Sequence, residues 1–84
     1  MFDSLKKIGY TGDDNLSLMI DWIREDKNFY IWIEHGSSKR GIKTHDLTIS
    51  SEYGFGGCLR GSYIEYADAQ KKGIEIFIDL YNKK

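Results

Sequence analysis

The stretch YADAQKKGIEIFIDLYNKK, from Tyr66 to Lys84, constrains the fold more than any other part of the chain. Asp68, Lys72, Glu75, Asp79 and Asn82 recur at steps of three and four, while Ala69, Gly73, Ile76, Phe77 and Leu80 line the opposite side. That is the period of a helix with one apolar face. Asp68 is placed to cap its start, and Lys83 and Lys84 sit where the negative end of the helix dipole favours cations. A glycine in mid-helix costs about 1 kcal/mol relative to alanine, so Gly73 marks the point where the helix comes closest to whatever it covers. A helix with one apolar face needs a partner layer, and the remaining residues must supply it.

That layer reads as an antiparallel sheet. Phe29, Ile31 and Ile33 alternate with Tyr30, Trp32 and Glu34, a strand of β-branched and aromatic residues. Residues 16–25 fit two periods: Leu16, Met19, Ile20 and Ile23 suit a helix, whereas Leu16, Leu18, Ile20 and Trp22 suit a strand. The strand is favoured, because a hairpin closed at Asp26 and Lys27 sets Trp22 opposite Ile31, Ile20 opposite Ile33 and Leu18 opposite His35, gathering the apolar residues of both strands on one face. The segment GSSKRGIKTH reads as a solvated turn or the tip of a further hairpin. Leu47 and Ile49 form a weak strand between polar neighbours, and Tyr63, Ile64 and Tyr66 lead from another strand into the final helix. At the start, Phe2, Leu5 and Ile8 predict one or two helical turns ended by Gly9, followed by the loop TGDDN. The expected fold is α+β: a three- to four-stranded antiparallel sheet, a C-terminal amphipathic helix on one face and a short N-terminal helix, in a single domain over residues 1–84.

A chain of 84 residues buries only about 60% of the surface its unfolded form exposes. Its core must therefore be efficient, and the aromatic content of 14% supplies large rings for few rotatable bonds. A net charge of −1 argues against a nucleic-acid binder driven by bulk charge and equally against an acidic nucleic-acid mimic. Cys58 is the lone cysteine, so no internal disulfide forms and the reducing cytoplasm is the expected compartment. The N-terminal MFDSLKKIGY is mixed in polarity by its third residue and no stretch reaches spanning length, so a soluble protein with no membrane partner is expected.

The chemistry-bearing residues form no recognisable motif. Gly54, Gly56, Gly57 and Gly61 suggest a phosphate loop, but Leu59 stands where a dinucleotide fingerprint needs glycine, and Ser62 and Tyr63 follow Gly61 where a P-loop needs lysine. A wide turn or bulge between strands accounts for them better. His35, His45, Asp46 and Cys58 are the candidate soft metal ligands, and they lack the paired spacing of zinc sites, so neither metal nor cofactor is expected. The neighbouring acids Asp13 with Asp14 and Glu25 with Asp26 fall in apparent turns, where solvation is the usual role, and the chain reads as a non-enzyme.

Two binding surfaces remain. Tyr30 and Trp32 on the second face of the sheet, with Tyr53 and Phe55 in the glycine-rich loop, give the mixed aromatic composition of protein interfaces. In that reading Met19 and Ile23 join the same face, and the N-terminal turn is the element that could cover it. Lys39, Arg40 and Lys43, with Arg60, give a basic hairpin tip suited to a phosphate backbone or unpaired bases. The polar stretch from Thr44 to Ser51 is the weakest strand and hence the expected sheet edge, through which two copies could pair as a homodimer. A sheet followed by a C-terminal helix is similar in order to small sheet-and-helix DNA readers and double-stranded-RNA-binding domains. In size and in its lack of catalytic residues, the chain also resembles the compact inhibitors of phages and mobile elements, such as anti-CRISPR proteins. The second resemblance implies a non-catalytic protein-binding module acting as an inhibitor or adaptor, and the first implies the alternative, a nucleic-acid-binding domain.

Overall fold

The computed structural model describes residues 2–37, 40–50 and 58–82, with the backbone alone for 58–60. Along the chain run α1 (Phe2–Lys7), α2 (Leu16–Lys27), β1 (Tyr30–Ser37), β2 (Lys43–Ser50), β3 (Cys58–Tyr63) and α3 (Tyr66–Asn82). The strands form an antiparallel meander in the order β1-β2-β3, with the C-terminal helix packed against it and the short helix at the N-terminus, so the fold is α+β as expected.

Gly73 is the closest approach between α3 and the sheet. A Cβ there would lie 2.7 Å from Ile31 Cγ2 and 3.2 Å from Leu47 Cδ1, so the bare glycine lets the helix backbone sit directly on β1 and β2. The buried stripe of α3 is Ala69, Gln70, Gly73, Ile74 and Phe77. It is rotated slightly from the expected one: Ile74 replaces Ile76 at the core, and Leu80 stays 39% exposed. Asp68 is in the first turn and not at the cap, because the N–H groups of Asp68 and Ala69 both bond the Glu65 carbonyl, at 3.2 and 3.3 Å. Its carboxylate still favours the positive end of the helix dipole.

Residues 16–27 are helix, and the favoured hairpin does not form. Two asparagines decide this. The Asn15 side chain accepts the Leu18 N–H at 3.1 Å, capping the start. Asn28 adopts the left-handed conformation at φ 53, and the Phe29 N–H returns to the Ile23 carbonyl, closing the end. Met19, Ile20 and Ile23 then fall on one buried face, while Leu18 is 46% exposed. Trp22, expected opposite Ile31, packs on Tyr10 instead, with ring centroids 5.5 Å apart. Gln70 of α3 donates to the Ser17 hydroxyl at 3.0 Å, tying the first turns of the two long helices together.

β2 is the central strand, so the stretch from Thr44 cannot be a free edge and a dimer cannot form through it; β1 and β3 are the edges. Its polar positions misled because a sheet covered on one face needs only alternate apolar residues, here Leu47 and Ile49. Gly54, Gly56 and Gly57 lie outside the described residues, and at Gly61 the expected irregularity is present: Leu47 pairs with Gly61 and Thr48 with Leu59, so Arg60 is the extra residue of a bulge, beside Gly61 at φ 138.

α1 packs on the helical side, not on the open face of the sheet. Leu5 is fully buried, and Tyr10 links Phe2 to Trp22 through edge-on ring contacts at 6.1 and 5.5 Å. The Tyr10 hydroxyl donates to the Asp13 carbonyl at 2.5 Å. Burial pushes the pKa of this phenol upward, and the carboxylates of Asp13 and Asp14 add to the rise.

Two measurements check this packing. Alanine is the better helix former, so Gly73→Ala would stabilise an isolated helix by about 1 kcal/mol; here the clash with Ile31 and Leu47 is expected to reverse the sign, lowering stability by about 1–3 kcal/mol in urea unfolding. A raised urea midpoint would show that helix and sheet stand further apart. For Tyr10, the folded state keeps its proton at a pH where the unfolded chain releases it, so this contribution is intact below about pH 10 and is lost as the pH rises through the folded value. Stability of the wild type is therefore expected to fall more steeply above about pH 10 than that of Tyr10→Phe, which has no proton to lose there.

Candidate functional site

Strand alternation sorts the sheet into two faces. Ile31, Ile33, Leu47 and Ile49 point toward the helices. Their neighbours Tyr30, Trp32, Glu34 and Gly36 on β1, and Thr44, Asp46, Thr48 and Ser50 on β2, are paired across the other face in the register Tyr30 with Ser50, Trp32 with Thr48, Glu34 with Asp46 and Gly36 with Thr44. No described helix lies over this face. α3 and α2 pack on the Ile31 side, and α1 meets the C-terminal part of α3 around Ile8, Ile78 and Tyr81.

Tyr30 and Trp32 stack on the open face with centroids 5.6 Å apart and planes 12° from parallel. Tyr30 is half-buried and Trp32 is 40% exposed, so the pair presents a broad, rigid apolar surface to solvent. Met19 and Ile23, expected beside them, belong to the core on α2. Next to the aromatic pair is a polar patch across three strands. Asp46 Oδ1 accepts from Thr44 Oγ1 at 3.0 Å and from Ser62 Oγ of β3 at 2.7 Å. Gly36 makes room for it, since a Cβ there would collide with Asp46 Oδ2. No motif in the chain points to this network, because Ser62 meets Asp46 only through the β2–β3 register.

The remaining predicted residues are not gathered here. Tyr53, Phe55 and Lys39 lie outside the described residues, and for Arg60 only the backbone is described. Arg40 is in the exposed turn before β2, and Lys43 opens β2 opposite Ser37 on the helix-facing side. Ser37 is five residues along β1 from Trp32, roughly 16 Å, so the described cations and the aromatic pair occupy different ends and different faces. Among the described residues of the open face, the charged side chains are the carboxylates of Glu34 and Asp46. Of the soft ligand set, His35 and His45 are cross-strand partners on the helix-facing side, whereas Asp46 is on the open face. Among the described residues no group of three or more His, Cys, Asp or Glu could hold a metal.

Three concavities lined by described residues measure about 150, 280 and 300 Å³, at or below the small end of the roughly 300–1,000 Å³ of ligand pockets. No described helix is long and apolar enough to cross a membrane. Comparison of the chain with known protein families, with curated proteins and with solved structures finds no match.

The contact between Gly36 and Asp46 is testable alone. In an open strand, Gly→Ala gains about 0.5–1 kcal/mol. Gly36→Ala is expected to destabilise the wild type and to become neutral or stabilising in an Asp46→Ala background, a coupling read from a double-mutant cycle of urea midpoints. Equal effects in both backgrounds would separate the two residues.

Proposed function

We propose that the protein is a small non-catalytic binding module, an inhibitor or adaptor, that engages a protein partner through the open face of its sheet. The observation that carries this reading is the stacked Tyr30–Trp32 pair, held on a face that no described helix covers. Aromatic residues on rigid backbone are the commonest anchors of protein interfaces, since they bury a large area with few torsions to freeze. Around the pair, Thr48, Ser50 and the Asp46 network supply hydroxyls and a carboxylate in a fixed arrangement, as a polar rim does. Acidic groups beside the aromatics favour a protein over a nucleic acid on this surface, because Glu34 and Asp46 would repel phosphates. Self-association by sheet extension, if it accompanies partner binding, is open to β1 and β3.

Trp32→Ala decides the matter, because Trp32 supports no core residue and the variant is expected to keep its fold. Affinity purification from the native host with wild-type and Trp32→Ala baits, followed by mass spectrometry, is expected to give a protein retained by the first and lost by the second. An anchor of this kind contributes about 2 kcal/mol or more, roughly thirtyfold in affinity. A partner bound equally by both baits rejects the face. Retention of DNA or RNA in a low-salt gel shift, abolished by Arg40→Ala with Lys43→Ala, would favour the basic hairpin tip instead.

A further inference from the structure

On the helix-facing side of the sheet, beyond the first turn of α3, two imidazoles meet. His35 of β1 and His45 of β2 are direct cross-strand partners, with ring centroids 5.4 Å apart and planes inclined by 57°. They are the chain's 2 histidines, separated in sequence by a whole hairpin, so only strand register brings them together. The Tyr66 ring meets His45 edge-on at 5.4 Å, and Tyr63 is its partner on β3. His35 is exposed and His45 half-buried. Nδ1 of His45 is closed off from solvent and has no hydrogen-bond partner, so a hydrated ion would meet this ring at Nε2.

The spacing matches a shared ligand. Two imidazoles on one zinc ion, at Zn–N distances of about 2.0–2.1 Å and a tetrahedral angle, have ring centroids roughly 5 Å apart. The backbone that carries the rings is already fixed by the β1–β2 ladder, so binding an ion orders little beyond two side chains. Imidazole nitrogen is a good donor to borderline divalent ions and a poor one to calcium or magnesium, which prefer oxygen.

We propose that His35 and His45 form a two-imidazole site for a borderline divalent transition-metal ion, with water in the remaining coordination positions. A site with two protein ligands leaves positions open, unlike the closed four-ligand sites that hold small domains together. The ion joins β1 to β2 near the hairpin end, on the face opposite Trp32, and its open positions can accept a donor from another molecule. This site is independent of the aromatic face, and either can fail without the other.

Zinc titration of the full chain by calorimetry, with the carbon-bound ring protons of both histidines followed by NMR, tests the site. Zinc is expected to bind and to move the resonances of His35 and His45 together. His35→Gln, at an exposed position, is expected to keep the fold and to weaken zinc at least about tenfold, since losing a direct ligand costs no less than losing an outer-shell partner. His45→Gln should act alike and Cys58→Ser should not. Binding should also weaken on acidification, because proton and metal compete for the same lone pairs. Absence of zinc binding by the wild type overturns the proposal, as does binding that His35→Gln leaves unchanged.

Discussion

How deeply α3 sinks onto the sheet is set by one missing methyl group. With hydrogen as its side chain, Gly73 lets the helix backbone touch Ile31 and Leu47, and its neighbours on the same face pack at the depth so reached. Ile74 becomes fully buried, Phe77 comes within 5.2 Å of the Phe29 ring, and Gln70 reaches Ser17 on the neighbouring helix. A small domain has little buried area to spare, so close packing has to replace size. The same depth brings Tyr81 near α2, where the Lys27 ammonium lies 5.5 Å from the Trp22 ring and 5.6 Å from that of Tyr81. A cation between two rings joins the helix ends that the core does not reach.

Because all three helices occupy one side, the sheet works as a divided element. Its helix-facing residues are apolar at the centre and become imidazole and phenol toward the hairpin end, where α3 begins. Its outer residues are a ring stack and a hydroxyl–carboxylate network, neither of which contributes to the core. Rigidity of the outer surface therefore comes from behind it, through the β-ladder and the packed layer. Binding to such a surface freezes little backbone, which is one of the larger costs of association.

Much of this architecture was legible in the chain, and the failures have physical causes. The final helix and the glycine contact followed from periodicity, and the first strand from its β-branched and aromatic alternation. Within residues 16–25 the favoured strand proved to be helix, because Leu16, Leu18, Ile20 and Trp22 satisfy a strand while Leu16, Met19, Ile20 and Ile23 satisfy a helix, and hydrophobic pattern alone cannot separate them. The deciding information was in Asn15 and Asn28, cap residues bracketing the run, which read as ordinary loop and turn positions. The central place of β2 was hidden by its polar alternate residues. Tyr30 and Trp32 were recognisable as an exposed aromatic pair, but the pairing of His35 with His45, and of Asp46 with Ser62, depends on register, and register is decided by tertiary packing rather than by local sequence.

The division of the sheet has an evolutionary consequence. Along β1 and β2 the even-numbered positions from Tyr30 to Gly36 and from Thr44 to Ser50 face outward, and the odd-numbered ones face the helices. Substitution at the first set changes what the surface can recognise, while Ile31, Ile33, Leu47 and Ile49 of the second set keep the scaffold folded. Gly36 and Asp46 share space, so a larger residue at the first position needs a smaller one at the second. Two interleaved alphabets thus run through the same two strands, one free to drift with whatever the molecule must meet and one held constant by the interior.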